Sequence, residues 1–98
     1  MKVCIYGAGA IGGFIGARLA ATGNCAVSAV ARGATLQALR DHGWRLRQGD
    51  KLMRAPLAAA AEDPRELGAM DLVVVAVKGP ALAEVAARIG PLLGAHTM

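Results

Sequence analysis

Aromatic residues are nearly missing from this sequence: Tyr6, Phe14 and Trp44 stand alone in 98 residues. A nucleic-acid surface needs clustered cations or aromatic rings on which bases stack. Here the basic residues are scattered from Lys2 to Arg88, so nucleic acid is excluded as a partner, although a net charge of +4 suits a small anionic ligand. Cysteine is scarce too. Cys4 and Cys25 have neither metal-ligand spacing nor the density of a disulfide scaffold. Both sit in apolar runs, where a thiol acts as a small hydrophobe, and this fits a reducing, cytoplasmic setting. Long uncharged runs are also lacking. Residues 5–23, "IYGAGAIGGFIGARLAATG", imitate a secretion leader behind Lys2, but Arg18 interrupts them and the five glycines between Gly7 and Gly16 are poor helix material. The same features exclude a membrane span, which takes about 20 apolar residues without charge. No nucleophile stands beside a base, no carboxylates pair, no metal cluster is spelled out, and His42 and His96 have no evident partners.

What is present is one small globular domain, 55% hydrophobic and 18% charged. "KVCIY" (2–6) is short, apolar and β-branched, as a strand buried on both faces is. A helix is predicted from Ala10 to Thr22, with Ile11, Ile15 and Leu19 as an apolar stripe. Gly12, Gly16 and Ala20 form a small-residue stripe that lets the helix lie close to its neighbours, and Gly23-Asn24 stop it. "CAVSAVA" (25–31) reads as a second strand and residues 33–43 as a second helix, with Leu36, Leu39 and Arg40 turned inward and Gly43 as its cap. The period then changes. "WRLRQGDKLMRAPLA" alternates apolar and basic residues, predicting a β-hairpin insertion over 44–58 that turns near Gly49 and Asp50, with Arg45, Arg47 and Arg54 on its solvated face. Residues 62–70 read as a turn or short helix around Pro64. "DLVVVAV" (71–77) reads as a central parallel strand. The following helix carries Leu82, Val85 and Ile89 inward and ends at Gly90-Pro91.

Strands alternating with helices predict an α/β fold: a Rossmann-like, doubly wound parallel sheet in the order 3-2-1-4, incomplete over this length. The order reverses between the first strand and "DLVVVAV", and ligands bind at such a switch point, beyond the carboxyl ends of the strands. Three anchors fall there. Gly7, Gly9 and Gly12 form G-x-G-x-x-G directly between strand and helix, so residues Gly7, Ala8, Gly9, Ala10, Ile11 and Gly12 are the expected cradle for a dinucleotide diphosphate. Arg32 ends the second strand, where an NAD-binding domain would carry an acid for the ribose 2′-hydroxyl. A guanidinium there suits the 2′-phosphate of NADP instead, with Thr35 and the N–H groups of "GAT" as further donors; a plain surface arginine is the competing reading. Lys78 follows the buried valines and is expected to emerge beside the glycine loop, the alternative being a lysine that merely reaches for solvent.

With "KVCIYGAGAIGG", "VARG" after the second strand and "DLVVVAVK", the chain resembles the N-terminal domain of the ketopantoate reductases (2-dehydropantoate 2-reductases), through nearly all its length. The resemblance implies NADPH-dependent reduction of the 2-keto acid 2-dehydropantoate to (R)-pantoate, on the route to pantothenate and coenzyme A. It implies that Gly7 to Gly12 carry the NADP diphosphate, Arg32 the 2′-phosphate, and Lys78 the cofactor near its reacting end. Members of that family are roughly three times as long, consistent with two domains. They continue into a strand ending in Asn-Gly and a helical domain that supplies the lysine proton donor and most substrate-binding groups. Residues 1–98 are therefore expected to be the NADP-binding domain without its substrate domain: no catalytic residue is named, no metal is expected, and a homodimer is an open assembly state. Two other readings stay open, another NADP-dependent 2-keto or hydroxy-acid dehydrogenase and a non-catalytic nucleotide-sensing module. Arg32 argues against the second.

Overall fold

In a computed structural model the chain is described at residues 1–7, 10–77, 82–94 and 97, without the side chains of Ala10, Ile11, Arg47 and Gln48. Strand β1 (Lys2–Tyr6) is followed by helix α1 (Ala10–Ala21). Strand β2 (Ala26–Val30) and helix α2 (Gly33–His42) follow, then a hairpin of β3 (Trp44–Gln48) and β4 (Lys51–Ala55). Strand β5 (Ala60–Ala61), a 3-10 turn (Pro64–Glu66), strand β6 (Leu72–Val75), helix α3 (Leu82–Arg88) and a second 3-10 turn (Gly90–Leu92) complete the order.

The main sheet runs β5-β2-β1-β6, and every pairing in it is parallel. Alternation along β1 divides the core. Val3 and Ile5 point to one face, where they pack with Val27, Ala29, Ala17 and Ala20 of α1, and Leu39 of α2. Cys4 and Tyr6 point to the other, with Val30, Met70, Val85 of α3 and Leu92. Helices thus cover both faces, as a doubly wound sheet requires. The expected order 3-2-1-4 is the order observed.

The small-residue stripe of α1 does what its spacing predicts. Gly16 lies flat against the hairpin's Trp44: a Cβ there would sit 2.5 Å from the indole ring. Trp44 is 1% exposed and donates its indole N–H to the Val27 carbonyl at 3.1 Å, which ties the hairpin to β2 as well as α1. Ile15 and Leu19 of the apolar stripe pack on the same cluster. Gly43, at φ +72°, closes α2 by donating its N–H to the Leu39 carbonyl.

Four expectations need correction. The "DLVVVAV" strand is an edge strand among the described residues, and β1 is the central one. Its continuous apolar run reads as fully buried, yet Leu72, Val73 and Val74 are half-buried and Val75 is 40% exposed. Leu82, expected on the inward face of α3, is 50% exposed; Val85 and Ile89 alone carry that face, since no described strand lies beyond β6 for the first turn to cover. Arg40 is exposed and not inward, its guanidinium capping the Ala60 carbonyl at 3.1 Å. Finally, the third strand of the sheet, β5, comes from an alanine run that no propensity singles out. Backbone hydrogen bonds to β2 place it, among them Ala29 N–H to Ala59 at 2.9 Å and Ala31 N–H to Ala61 at 3.0 Å.

Candidate functional site

The carboxyl ends of β1, β2 and β6 meet at one edge of the sheet, and the reversal of strand order between β1 and β6 opens a crevice there. Gly7 is the first residue beyond β1. It has φ +95° and donates its N–H to the Val30 carbonyl at 3.0 Å, so its backbone is held by β2 while it turns towards α1. A side chain at Gly7 would overlap Val77 Cγ1 and stand 3.0 Å from the Ala76 carbonyl oxygen. At Gly12, in the first turn of α1, a Cβ would collide with the Gly7 carbonyl oxygen and crowd Ile5 at 3.1 Å and Ala76 at 3.2 Å. Both positions need glycine for space, and together they seat the start of α1 directly on the ends of β1 and β6. The result is a helix N-terminus set at the switch point, close against the carboxyl ends of β1 and β6. Of the other residues expected in the cradle, Ala8 and Gly9 lie outside the described residues, as do the side chains of Ala10 and Ile11. Lys78 lies outside them too.

Arg32 stands where the sequence places it, between β2 and α2, with extended backbone (φ −146°, ψ 165°) as the residue preceding the first turn of α2. Its side chain is 67% exposed, and a guanidinium nitrogen lies 3.6 Å from the Glu84 carboxylate. Gly33, Ala34 and Thr35 behind it are exposed at the N-terminus of α2. Glu84 in turn accepts from Arg88 at 3.1 Å, one turn on in α3, and Arg88 also donates to the Glu62 carbonyl at 3.0 Å. Arg32, Glu84 and Arg88 therefore form a charged chain that links the end of β2 to α3 and to the loop after β5. Arg88 also borders a depression of about 280 Å³ shared with Asp63, Arg65, Ala87 and Pro91.

Sequence reasoning missed Glu84. An acid four residues before an arginine on a helix reads as an ordinary local pair, and nothing local announces its distant partner Arg32. It missed the Tyr6 hydroxyl as well, which is buried at the end of β1 with no hydrogen-bond partner among the described residues. Burial pushes the Tyr6 phenol up, against the opposing field of Arg88. Among the described residues no group of His, Cys, Asp and Glu is arranged to hold a metal, and no helix is long and apolar enough to cross a membrane. His42 is exposed in the last turn of α2.

Known proteins share this fold. A 2-dehydropantoate 2-reductase of Mesorhizobium japonicum is 48% identical over 97 residues, which take in 99% of this chain and 29% of that protein. A crystal structure from Ralstonia solanacearum MolK2 that carries the ketopantoate reductase designation superposes with a TM-score of 0.88 at 52% identity, over 97% of this chain and 29% of that one. D-mandelate dehydrogenase, solved as a ternary structure with NADH and anilino(oxo)acetate, has a TM-score of 0.80 at 25% identity, over 99% of this chain and 31% of that one. The chain thus spans less than a third of the length of each of these three proteins. Its residues 3–98 match the family described as Ketopantoate reductase PanE/ApbA. Because that match takes in the glycine turn, the arginine after β2 and the β6 strand in a single frame, the chain belongs to the ketopantoate reductase family.

Proposed function

We propose that residues 1–98 are the nucleotide-binding domain of an NADPH-dependent 2-dehydropantoate 2-reductase, an oxidoreductase that makes (R)-pantoate for pantothenate and coenzyme A synthesis in the cytoplasm. The observation that carries this reading is the pairing of two glycines that have no room for a side chain at the switch point with an exposed arginine at the end of β2. The described residues fit the cofactor: Gly7 and Gly12 let α1 start tight against the ends of β1 and β6, which sets its N-terminus where a diphosphate would lie, and Arg32 offers a planar fork to a 2′-phosphate. NADPH, when bound, supplies the hydride for the keto carbon. The chain's own residues then bind and orient it. The start of α1 faces the diphosphate with unpaired N–H groups and its positive dipole end. Arg32 holds the adenosine end, with Thr35 behind it, and Lys78 steadies the cofactor near its reacting end. The proton donor and the groups that hold the keto acid come from outside these residues on this reading, so the chain alone binds cofactor without turning over substrate.

One observation favours a second reading, in which NADH is the cofactor: the related D-mandelate dehydrogenase structure contains it. Parallel titrations of NADPH and NADH against the natural full-length polypeptide, and against its Arg32→Ala and Gly12→Ala variants, separate the two. We expect NADPH to bind at least about tenfold tighter, equivalent to about 1.4 kcal/mol. Arg32→Ala should remove that preference, and Gly12→Ala should weaken both cofactors alike. Equal binding of NADH and NADPH by the wild type would overturn the NADP assignment. Failure to reduce 2-dehydropantoate with either cofactor would overturn the substrate.

A further inference from the structure

Arg32 does not wait alone at the end of β2. Its guanidinium faces the Glu84 carboxylate at 3.6 Å, looser than the roughly 2.7–2.9 Å of a good charge-assisted hydrogen bond. The second oxygen of Glu84 is taken by Arg88 at 3.1 Å, and Arg88 is anchored independently on the Glu62 carbonyl at 3.0 Å. The carboxylate is thus shared between one arginine that is fixed and one that is free to leave. Arg32 is the free one: its side chain is 67% exposed, against 36% for Arg88.

We propose that Glu84 sets the strength of 2′-phosphate recognition by holding Arg32 before the cofactor arrives and competing with the phosphate for its guanidinium. This rests on the reading of Arg32 given above. A phosphate monoester carries a charge of about −1.5 to −2 and offers three acceptor oxygens, so it outcompetes a single exposed carboxylate. When Arg32 turns to the phosphate, Glu84 stays neutralised by Arg88 and is not stranded. The Arg32–Glu84 attraction is nevertheless given up in the exchange, which therefore costs affinity that a neutral residue would not cost. NADH has no phosphate at this position and makes no such exchange. Glu84 is then a specificity-determining residue that lowers the preference for NADPH below what Arg32 alone would give, and it makes release of the oxidised cofactor easier.

The test is a binding titration of NADPH and NADH against the natural full-length polypeptide carrying Glu84→Gln, Arg32→Ala, or both, at low and at physiological salt. Glu84 is exposed on α3, and glutamine keeps its shape and helix propensity. We expect Glu84→Gln to tighten NADPH by about two- to fivefold, the range of an exposed ion pair, with NADH changed by less than that. The gain should shrink with added salt and vanish in the Arg32→Ala background. An unchanged or weaker affinity for NADPH in Glu84→Gln, while Arg32→Ala still removes the cofactor preference, overturns this proposal and leaves the 2′-phosphate reading standing. So does a gain kept in full in the Arg32→Ala background. A preference for NADPH that survives Arg32→Ala overturns both.

Discussion

Cys4 shows how far burial alone moves a side chain's chemistry. It lies in the centre of β1 with no exposed surface, and burial pushes its thiol from 9.0 to about 12, against a smaller opposite pull from a backbone hydrogen bond at Val30. The folded protein therefore holds the protonated form. Its folded value lies above the unfolded one, so the contribution to stability is complete below pH 9 and is lost as the pH rises towards about 12. Urea unfolding should show the wild-type midpoint falling more steeply over that alkaline range than the midpoint of Cys4→Ala. A thiol reagent near neutral pH should label the half-buried Cys25 well before Cys4. Equal labelling rates would mean that β1 opens far more readily than its packing implies. The sequence already placed both cysteines in apolar runs. It gave no sign that the Tyr6 hydroxyl, two residues on, is buried without a partner among the described residues, because that depends on what α3 brings to the other side of the strand.

At the scale of elements, the hairpin was legible and β5 was not, for opposite reasons. The hairpin announces itself by alternation around Gly49-Asp50, a local signal that no tertiary contact needs to supply. Two alanines in an alanine run carry no such signal; they become a strand because β2 offers them unpaired backbone groups. Edge and centre were confused in β6 for a related reason, since a run of valines records apolar neighbours but not on which side another strand lies. The glycine turn and Arg32 were readable because each is fixed by local chain geometry, whereas the Arg32–Glu84 pair joins two elements far apart in sequence. The hairpin also carries a like-charge pair. Arg45 and Arg54 are direct cross-strand partners, both exposed, and like charges in that arrangement oppose pairing. Replacing Arg54 by Glu turns the pair into an attractive one and should raise stability by about 0.2–1 kcal/mol, seen as a higher urea midpoint with an unchanged slope. No gain in 1 M salt, where such pairs are largely screened, would accompany a true charge effect.

For the molecule as a whole, the sheet is asymmetric. One side ends in the two-residue β5, whose edge is short. The other ends in β6, four apolar residues that pair on one side with β1 and, among the described residues, with no strand on the other; the Met70–Leu93 bridge lies just before the strand begins. An unpaired apolar edge of that kind recruits other strands. Residues 1–98 expressed by themselves should therefore self-associate in sedimentation experiments, and Val75→Lys, at a position already 40% exposed, should reduce that tendency with little loss of fold. A wild-type chain that stays monomeric at high concentration would show that the edge is better protected than its exposure indicates.

The contact between Trp44 and Gly16 has a further, spectroscopic consequence. Trp44 is the sole indole of the sequence, it is almost completely shielded from water, and it rests on the helix whose first turn holds Gly12. Its emission is consequently a native optical gauge of how α1 sits on the hairpin. Reduced nicotinamide absorbs in the region where a shielded indole emits, so on the proposed function the protein carries a built-in energy-transfer donor, and docking of the dinucleotide should be visible by light without attaching any dye.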